Sequence, residues 1–156
     1  MIALKREVSG GARVNSQSPD KKTALIEAVG QGHFRIVREL LSLGANPNST
    51  GAFLGLTTPL HAAVFKGKWE FEKGNAAEII QLLLKAGAHV SSTDTYKQQT
   101  PLHIAARLNN PISTKILLDA GAKVMPRDAE GKTPLDYAQS ADVIKLLKSY
   151  GAKETP

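Results

Sequence analysis

The chain has 156 residues, a formal net charge of +6 and an isoelectric point near 9.6. With 42% apolar and 22% charged residues, it has the length and composition of one ordinary soluble, folded domain and not those of a disordered chain. The absence of cysteine excludes disulfide scaffolds, thiolate zinc sites and cysteine nucleophiles.

The amino-terminal segment, residues 1–15, predicts half of a structural unit. Its first ten residues mix charged and apolar side chains, which is not the pattern of a signal peptide, and no apolar run in the chain approaches membrane-spanning length. We therefore expect a cytoplasmic or otherwise intracellular protein. Ile2, Leu4 and Val8 precede Gly11, as at the end of a second helix, so residues 1–15 are interpreted as a half-repeat cap or as the place where a longer array was cut.

Four later segments repeat one pattern at a regular spacing. Residues 58–61 and 100–103 both read Thr-Pro-Leu-His, residues 133–136 read Thr-Pro-Leu-Asp, and residues 23–26 keep the threonine and the leucine. The last two of these segments in the chain begin 33 residues apart. A fixed period in this range indicates a row of stacked units instead of a globule around one pocket. The pattern predicts a single domain over residues 1–156, with helix pairs at about 23–43, 58–86, 100–120 and 133–150.

The unit that begins at Thr100 illustrates the expected local structure. Its threonine can cap the helix that starts at Pro101, and the histidine three residues after the threonine is close enough to hydrogen-bond its hydroxyl. A second helix is predicted to start at Pro111. Gly121 is predicted to end it, because glycine enters the left-handed conformation without steric strain.

These motifs resemble the ankyrin repeat family. The match consists of Thr-Pro-Leu-His-x-Ala at residues 100–105, Gly-Ala at 121–122 and the next Thr-Pro-Leu at 133–135, in order and at fixed offsets, and it covers nearly the whole chain. The resemblance implies an all-α repeat solenoid of stacked helix-turn-helix ankyrin repeats with β-hairpin fingers, about four repeats plus the amino-terminal half repeat. It also implies a non-catalytic protein–protein interaction module, with a scaffold role, that binds a partner protein through its concave face.

Two units depart from the family pattern. Ala24 and Ile26 replace the proline and the histidine in the first unit, which puts its helix cap and its histidine hydrogen bond in doubt. Ser113 and Thr114 occupy positions that are usually apolar, which predicts a looser second helix in the third unit.

The resemblance also implies which residues bind a partner. In the ankyrin family the concave face is formed by the fingertips and by the exposed positions of the first helices. Phe65, Tyr96, Arg107 and Leu108 place aromatic, aliphatic and guanidinium groups together in the middle two units, a composition typical of binding centres. The alternative for Phe65 and Leu108 is that they pack partly beneath the adjoining finger. The set carried over from these positions is Lys22, Gln31, Phe65, Lys66, Tyr96, Lys97, Arg107, Leu108, Glu130 and Lys132.

Two insertions lengthen loops of the array. The loop around residues 67–74 makes the second unit eight residues longer than the third. It holds Trp69 and Phe71, which either anchor a partner or fold back onto the domain's own helices. The finger at residues 49–56 is also longer and carries apolar side chains, which either face a partner or tuck under the neighbouring finger. Trp69 and Phe71 join the candidate partner-binding residues, and the role of both insertions stays open.

The sequence gives little support to catalysis or metal binding. The four histidines lack the i, i+4 spacing and the nearby carboxylates of a metal site, and neither a nucleophile elbow nor a phosphate-binding glycine loop occurs. We therefore predict a protein that is no enzyme and that uses no cofactor and no metal.

The basic charge bears on the class of partner. The lysines are scattered and the aromatic residues, 5% of the chain, are too few to interleave with them, which argues against specific nucleic-acid recognition. The same charge suits a partner protein, including an acidic one. The alternatives that remain are an electrostatic binder of nucleic acid or anionic lipid and a regulatory fragment of a larger protein. We expect a monomer and no membrane insertion.

Overall fold

A computed structural model describes residues 13–51, 58–67 and 75–155. Within these ranges the only β pairing is an isolated antiparallel bridge between Gln17 and Thr23. The same ranges contain eight helices: α1 (Ala24–Gly30), α2 (Phe34–Ser42), α3 (Pro59–Lys66), α4 (Ala76–Lys85), α5 (Pro101–Arg107), α6 (Pro111–Asp119), α7 (Pro134–Tyr137) and α8 (Ala141–Ser149).

The helices form two parallel rows. The first helices of successive units pack on one another in the order α1, α3, α5 and α7, and the second helices do the same in the order α2, α4, α6 and α8. Each unit therefore buries its apolar surface against its neighbours, so that the stability of the stack is roughly a sum of unit and interface terms. Leu25, Ile80, Leu117 and Leu147, one from each unit, are at most 1% exposed. The predicted all-α repeat solenoid is confirmed.

Small residues and helix caps explain the geometry of the first row. Ala62 and Ala105 are fully buried, and their methyl groups let adjacent first helices approach closely. Pro59 and Pro101 open α3 and α5, where the missing N–H would have had no helical partner. The first unit keeps its cap despite Ala24 and Ile26, because the Thr23 side chain accepts a hydrogen bond from the backbone N–H of Ile26. It lacks the histidine bond, since isoleucine has no polar side-chain atom.

The fingers that join successive units are hairpins too short to form strands in the described part of the chain. One backbone hydrogen bond closes the finger at Ser18, which donates to the carbonyl of Lys22. The next two described fingertips are closed in the same way, by the backbone N–H of Asp94 donating to Gln99 and that of Asp128 donating to Lys132. The hairpins at Asp94 and Asp128 are entered from helices that end at glycines of positive φ, Gly87 at 93° and Gly121 at 84°.

Helix α6 is continuous through its two buried polar residues. Ser113 and Thr114 are 2% and 0% exposed, and α6 runs without interruption through both. The Thr114 hydroxyl donates to the carbonyl of Asn110 at 2.7 Å, so its burial leaves no unpaired donor. This local hydrogen bond satisfies the buried threonine, and a looser second helix in this unit stays a prediction from the sequence.

Two adjacent asparagines connect the loop between α5 and α6 to both neighbouring units. Asn109 has a positive φ of 52°, and its Oδ1 accepts the backbone N–H groups of Gln139 and Ser140 at 2.8 and 2.7 Å. Asn110 accepts from the backbone N–H of Ser113 through Oδ1, and its Nδ2 donates to the carbonyl of Gly67 at 3.4 Å. This loop therefore links the third unit forward to the fourth and back to the second.

A second series of hydrogen bonds runs along the base of the fingers and weakens toward the carboxyl terminus. Asn48 bonds the next unit twice, donating to the carbonyl of Gly87 at 2.9 Å and accepting from the backbone N–H of His89 at 2.7 Å. Ser91, at the same position of the next unit, accepts one bond from the backbone N–H of Lys123. Met125, at the corresponding position of the following unit, receives only the backbone N–H of Lys153 on its sulfur, at 3.1 Å.

We expect Met125→Asn to raise the free energy of unfolding by about 1 kcal/mol. The asparagine amide would accept from the N–H of Lys153 and donate to the carbonyl of Gly151, as Asn48 does with His89 and Gly87 two unit pairs earlier. Urea unfolding measures the change. Met125→Leu is the control, because leucine keeps the apolar contact but offers no hydrogen bond; an asparagine variant no more stable than the leucine variant would contradict the assignment.

Candidate interaction surface

The family pattern places the partner-binding side of the stack at the fingertips and the carboxyl-terminal ends of the first helices. We call this side the finger face, formed in the described chain by residues 20–22, 95–97 and 129–132 of the fingers together with residues 31, 65–66 and 107–108. All ten residues of the set carried over from the family lie in these segments. Trp69, Phe71 and residues 52–57 of the lengthened finger lie outside the described residues, as does most of the half repeat at residues 1–15.

The large apolar and aromatic side chains of the finger face differ in exposure. Tyr96 is 80% exposed at its fingertip. Phe65 and Leu108 are half-buried and pack against the hydrophobic core, while Arg107 beside Leu108 is exposed. The hydrophobic core thus covers part of Phe65 and Leu108, and each still offers part of its side chain to solvent.

The first finger and the first helix form a small polar group. Lys22 Nζ lies 3.6 Å from Glu27 Oε2, and Gln31 Nε2 donates to Glu27 Oε1 at 3.1 Å. The Gln31 hydrogen bond is the largest influence lowering the pKa of Glu27, with the charge of Lys22 adding to it. Glu27 therefore stays ionised on this part of the face.

The last two fingertips are joined by one carboxylate and two ammonium groups. Glu130 Oε2 accepts from Lys132 Nζ at 2.9 Å, and Glu130 Oε1 lies 3.5 Å from Lys97 Nζ. The Lys132 hydrogen bond lowers the pKa of Glu130, and the same bond raises the pKa of Lys132. Lys132 Nζ also lies 5.4 Å from the centre of the Tyr137 ring, within cation–π range.

A buried carboxylate supports these fingertips from beneath. Asp128 is 6% exposed, and its Oδ1 accepts the backbone N–H groups of Glu130 and Lys132 at 2.9 and 3.0 Å. Its Oδ2 accepts from Gln99 Nε2 at 3.1 Å and from the Tyr137 hydroxyl at 2.6 Å. Burial alone raises the pKa of Asp128, but these hydrogen bonds outweigh it and bring the pKa to about 2.

Sequence reasoning did not assign this supporting role to Asp128. The available signal was recurrence, because Asp94 and Asp128 each precede a Thr-Pro-Leu segment by five or six residues. Asp94 is also 6% exposed and supports its fingertip, since its Oδ1 accepts the backbone N–H groups of Tyr96 and Lys97 at 3.0 and 2.7 Å.

The two motif histidines connect successive units. His103 Nδ1 accepts the backbone N–H of Thr100 at 3.0 Å, which leaves the proton on Nε2, and Nε2 donates to the carbonyl of Lys132 at 3.0 Å. His61 repeats the arrangement with the Thr58 hydroxyl at 2.7 Å and the carbonyl of Gln99 at 2.9 Å.

The predicted threonine–histidine hydrogen bond is therefore present in both units that carry the motif. Burial lowers the pKa of both histidines, and hydrogen bonds to backbone carbonyls only partly offset this effect. Both imidazoles are therefore uncharged in the folded protein at neutral pH, and each hydrogen-bonds to the next unit in that form.

The described residues were also compared with the requirements of a metal site and of a membrane-spanning helix. No group of three or more histidine, cysteine, aspartate or glutamate side chains in these ranges is arranged to hold a metal ion. None of the helices located in the same ranges is long and apolar enough to cross a membrane.

Comparison with known proteins agrees with the repeat architecture. A family model described as ankyrin repeats (three copies) matches residues 3–72 and 69–155. The mitochondrial disaggregase of Homo sapiens is 31% identical over 178 residues, an alignment that covers 98% of this chain and 25% of that protein. Inversin of Canis lupus familiaris is 34% identical over 133 residues, covering 84% of this chain and 11% of inversin.

A shorter similarity concerns the neurogenic locus Notch protein of Drosophila melanogaster, which is 38% identical over 100 residues, 60% of this chain and 4% of that protein. The chain therefore spans a quarter or less of the length of these relatives. The family match covers nearly all of the chain, and its motifs coincide with the caps, histidine links and glycine turns of the stack. The chain belongs to the ankyrin repeat family.

Proposed function

We propose that this chain is a non-catalytic protein-interaction module that holds a partner protein on its finger face. Ankyrin repeats are generally protein-interaction modules, and the family is typically non-enzymatic. The observation that carries the proposal is the 80% exposure of Tyr96 on that face. A tyrosine ring so placed offers a large apolar surface with a polar tip, which is the kind of group that dominates many protein interfaces.

The support beneath Tyr96 strengthens the proposal. The buried Asp94 carboxylate holds the backbone N–H groups of Tyr96 and Lys97, so the fingertip is fixed before any partner arrives. A preformed fingertip loses less conformational entropy on binding than a mobile loop. Arg107 and the exposed part of Leu108 lie at the end of the helix that follows this finger, and they extend the same face inward.

A paired substitution tests the proposal. The chain carrying Tyr96→Ala and Arg107→Ala is compared with one carrying Ile112→Ala and Arg35→Ala, which removes a large apolar group and an arginine from exposed positions on the second helices. We expect a partner protein captured from a lysate of the source cells to bind the first variant at least about tenfold more weakly and the second variant unchanged.

If both variants still captured the partner, the binding surface would lie elsewhere, and the insertion that carries Trp69 and Phe71 would be tested next. Retention of nucleic acid or anionic lipid alone, lost at raised salt, would favour the electrostatic alternative. Matched circular dichroism spectra and melting temperatures ensure that the variants differ in surface and not in fold.

We also propose that the module acts inside the cell, as a monomer of 16.7 kDa, alone or as the interaction part of a longer protein. Sedimentation equilibrium measures the mass of the module directly. A mass twice that of the chain would contradict the monomer.

A further inference from the structure

The charge on the finger face is unevenly balanced. Its exposed and half-exposed cations outnumber its carboxylates six to two. The cations are Lys21, Lys22, Lys66, Lys97, Arg107 and Lys132, and the carboxylates are Asp20 and Glu130. Glu27 lies beside the face on α1 and pairs with Lys22. The buried Asp94 and Asp128 lie beneath this surface, with their oxygens turned to backbone and side-chain donors of the protein itself. A positive face of this kind favours an approaching negative surface and rejects a positive one.

Two carboxylates in or beside the finger face are already paired with lysine side chains of the protein itself. Glu130 is held by Lys97 and Lys132, and Glu27 is held by Lys22. In the part of the chain that the structure describes, Arg107 and Lys66 form no ion pair with any carboxylate. Among the described residues around Arg107 and Lys66, a cationic partner segment would find no unpaired carboxylate of the finger face, whereas an acidic one would find a guanidinium with several donors available.

The apolar groups of the face indicate a polypeptide and not a phosphate polymer. Tyr96 and the exposed parts of Phe65 and Leu108 offer contact to aliphatic or aromatic side chains. A single-stranded nucleic acid needs a succession of stacking aromatics along its path, and Tyr96 is the only strongly exposed aromatic of this face among the described residues. The carboxylate of Glu130 between two lysines would also oppose a continuous row of phosphates.

The spacing of these groups suits an extended segment. Helix α5 separates the Tyr96 fingertip from Arg107, and its seven residues rise about 10 Å along the helix axis. An extended chain covers about 3.3 Å per residue, so about three of its residues span the length of this helix. Alternate side chains of such a segment can present an apolar group to Tyr96 or Leu108 and a carboxylate to Arg107 or Lys66.

We propose that the partner segment bound by the finger face is an extended acidic peptide in which Asp or Glu residues alternate with apolar ones. This inference rests on the proposed function and adds the chemistry of the partner to it. The proposed partner is a peptide, and the experiment below distinguishes it from a single-stranded nucleic acid.

Selection from a random dodecapeptide library displayed on phage tests this chemistry without prior choice of sequence. With the native chain as bait, we expect the enriched peptides to hold more Asp and Glu than Lys and Arg, together with at least one aromatic or large aliphatic residue. With Lys66→Glu and Arg107→Glu combined in the bait, we expect the preference to shift toward Lys and Arg. A resynthesised acidic peptide should bind the charge-reversed bait about tenfold more weakly than the native chain, by fluorescence anisotropy.

Charge reversal at Arg35 and Lys145, exposed on the second helices, is the matched control and should leave the selected peptides unchanged. Enrichment of neutral or basic peptides by the native chain would overturn the acidic partner while leaving the finger face intact, provided that the chain with Tyr96→Ala and Arg107→Ala no longer selects them. If the alanine variant enriched the same peptides as the native chain, the finger face would not be the binding surface, and the proposed function would be contradicted as well. Tighter anisotropy binding of a twelve-nucleotide single strand than of the best peptide, or no enrichment above bare beads, would also overturn the peptide inference.

Discussion

Asp128→Ala should lower the free energy of unfolding by about 3 kcal/mol. The substitution removes the acceptor of two backbone N–H groups in the fingertip and of the Gln99 amide and Tyr137 hydroxyl beneath it. Hydrogen bonds to an ionised acceptor are stronger than neutral ones, and here part of the loss is recovered because the fingertip N–H groups can reach water. Urea unfolding followed by circular dichroism measures the change.

Asp20→Ala is the matched control, because Asp20 is an exposed aspartate on another fingertip and should change stability by no more than about 0.5 kcal/mol. Asp128→Asn should fall between the two, since its amide oxygen can still accept while its nitrogen cannot. Equal stability of the Asp128→Ala and Asp20→Ala chains would show that Asp128 does not hold the fingertip together.

The same carboxylate makes the stability depend on pH in the acid range. The pKa of Asp128 is about 2 in the folded chain, below its ordinary value of 3.8, so the unfolded chain takes up the proton first as pH falls. The contribution is complete above about pH 4 and is lost as pH falls toward 2, a difference of about 2 kcal/mol. The Asp128→Ala chain should lack this part of the acid destabilisation.

His103→Leu should also destabilise the chain by about 3 kcal/mol, although leucine matches the histidine in size and is apolar. The substitution leaves the backbone N–H of Thr100 and the carbonyl of Lys132 without their buried partner. It removes at once a helix cap and a link between the third and fourth units. The control is His33→Leu at an exposed position, where we expect little change in urea unfolding. Retention of full stability by the His103→Leu chain would mean that the link contributes nothing.

Because burial lowers the pKa of His61 and His103, protonation opposes folding. The stability that these residues contribute is complete above about pH 6.5, the ordinary histidine pKa, and is lost as pH falls below it toward the folded-state pKa. The native chain should therefore be less stable at pH 5.5 than at pH 7.5. The His103→Leu chain should show a smaller fall over the same interval.

The local parts of the fold could be predicted from sequence because their partners lie close along the chain. Thr100 and His103 are three residues apart, so the motif alone contains both members of the hydrogen bond. Gly121 ends its helix through a backbone conformation that other residues rarely adopt. The regular spacing of such signals was enough to predict stacking, because a single helix pair cannot bury its own apolar face.

The contacts between units could not be predicted in the same way. The amide of Gln99 reaches Asp128 from 29 residues away, and Asn109 bonds Gln139 and Ser140 from about 30 residues away. Which atoms meet across an interface depends on the lengths of two fingers and on the rotation between units, neither of which the repeat motif specifies. For the same reason sequence reasoning could list Phe65 and Leu108 on the finger face but could not say how much of each side chain the core would cover.

The paired asparagines at positions 109 and 110 also restrict where this array can accept new sequence during evolution or engineering. Their bonds to the units on either side hold only while α6 begins at Pro111, directly after them. One added residue would separate the two amides and detach one neighbour, so grafted loops or natural insertions should be rejected here. The corresponding loop of the second unit, which already carries eight additional residues, is the place where a longer graft should be accepted.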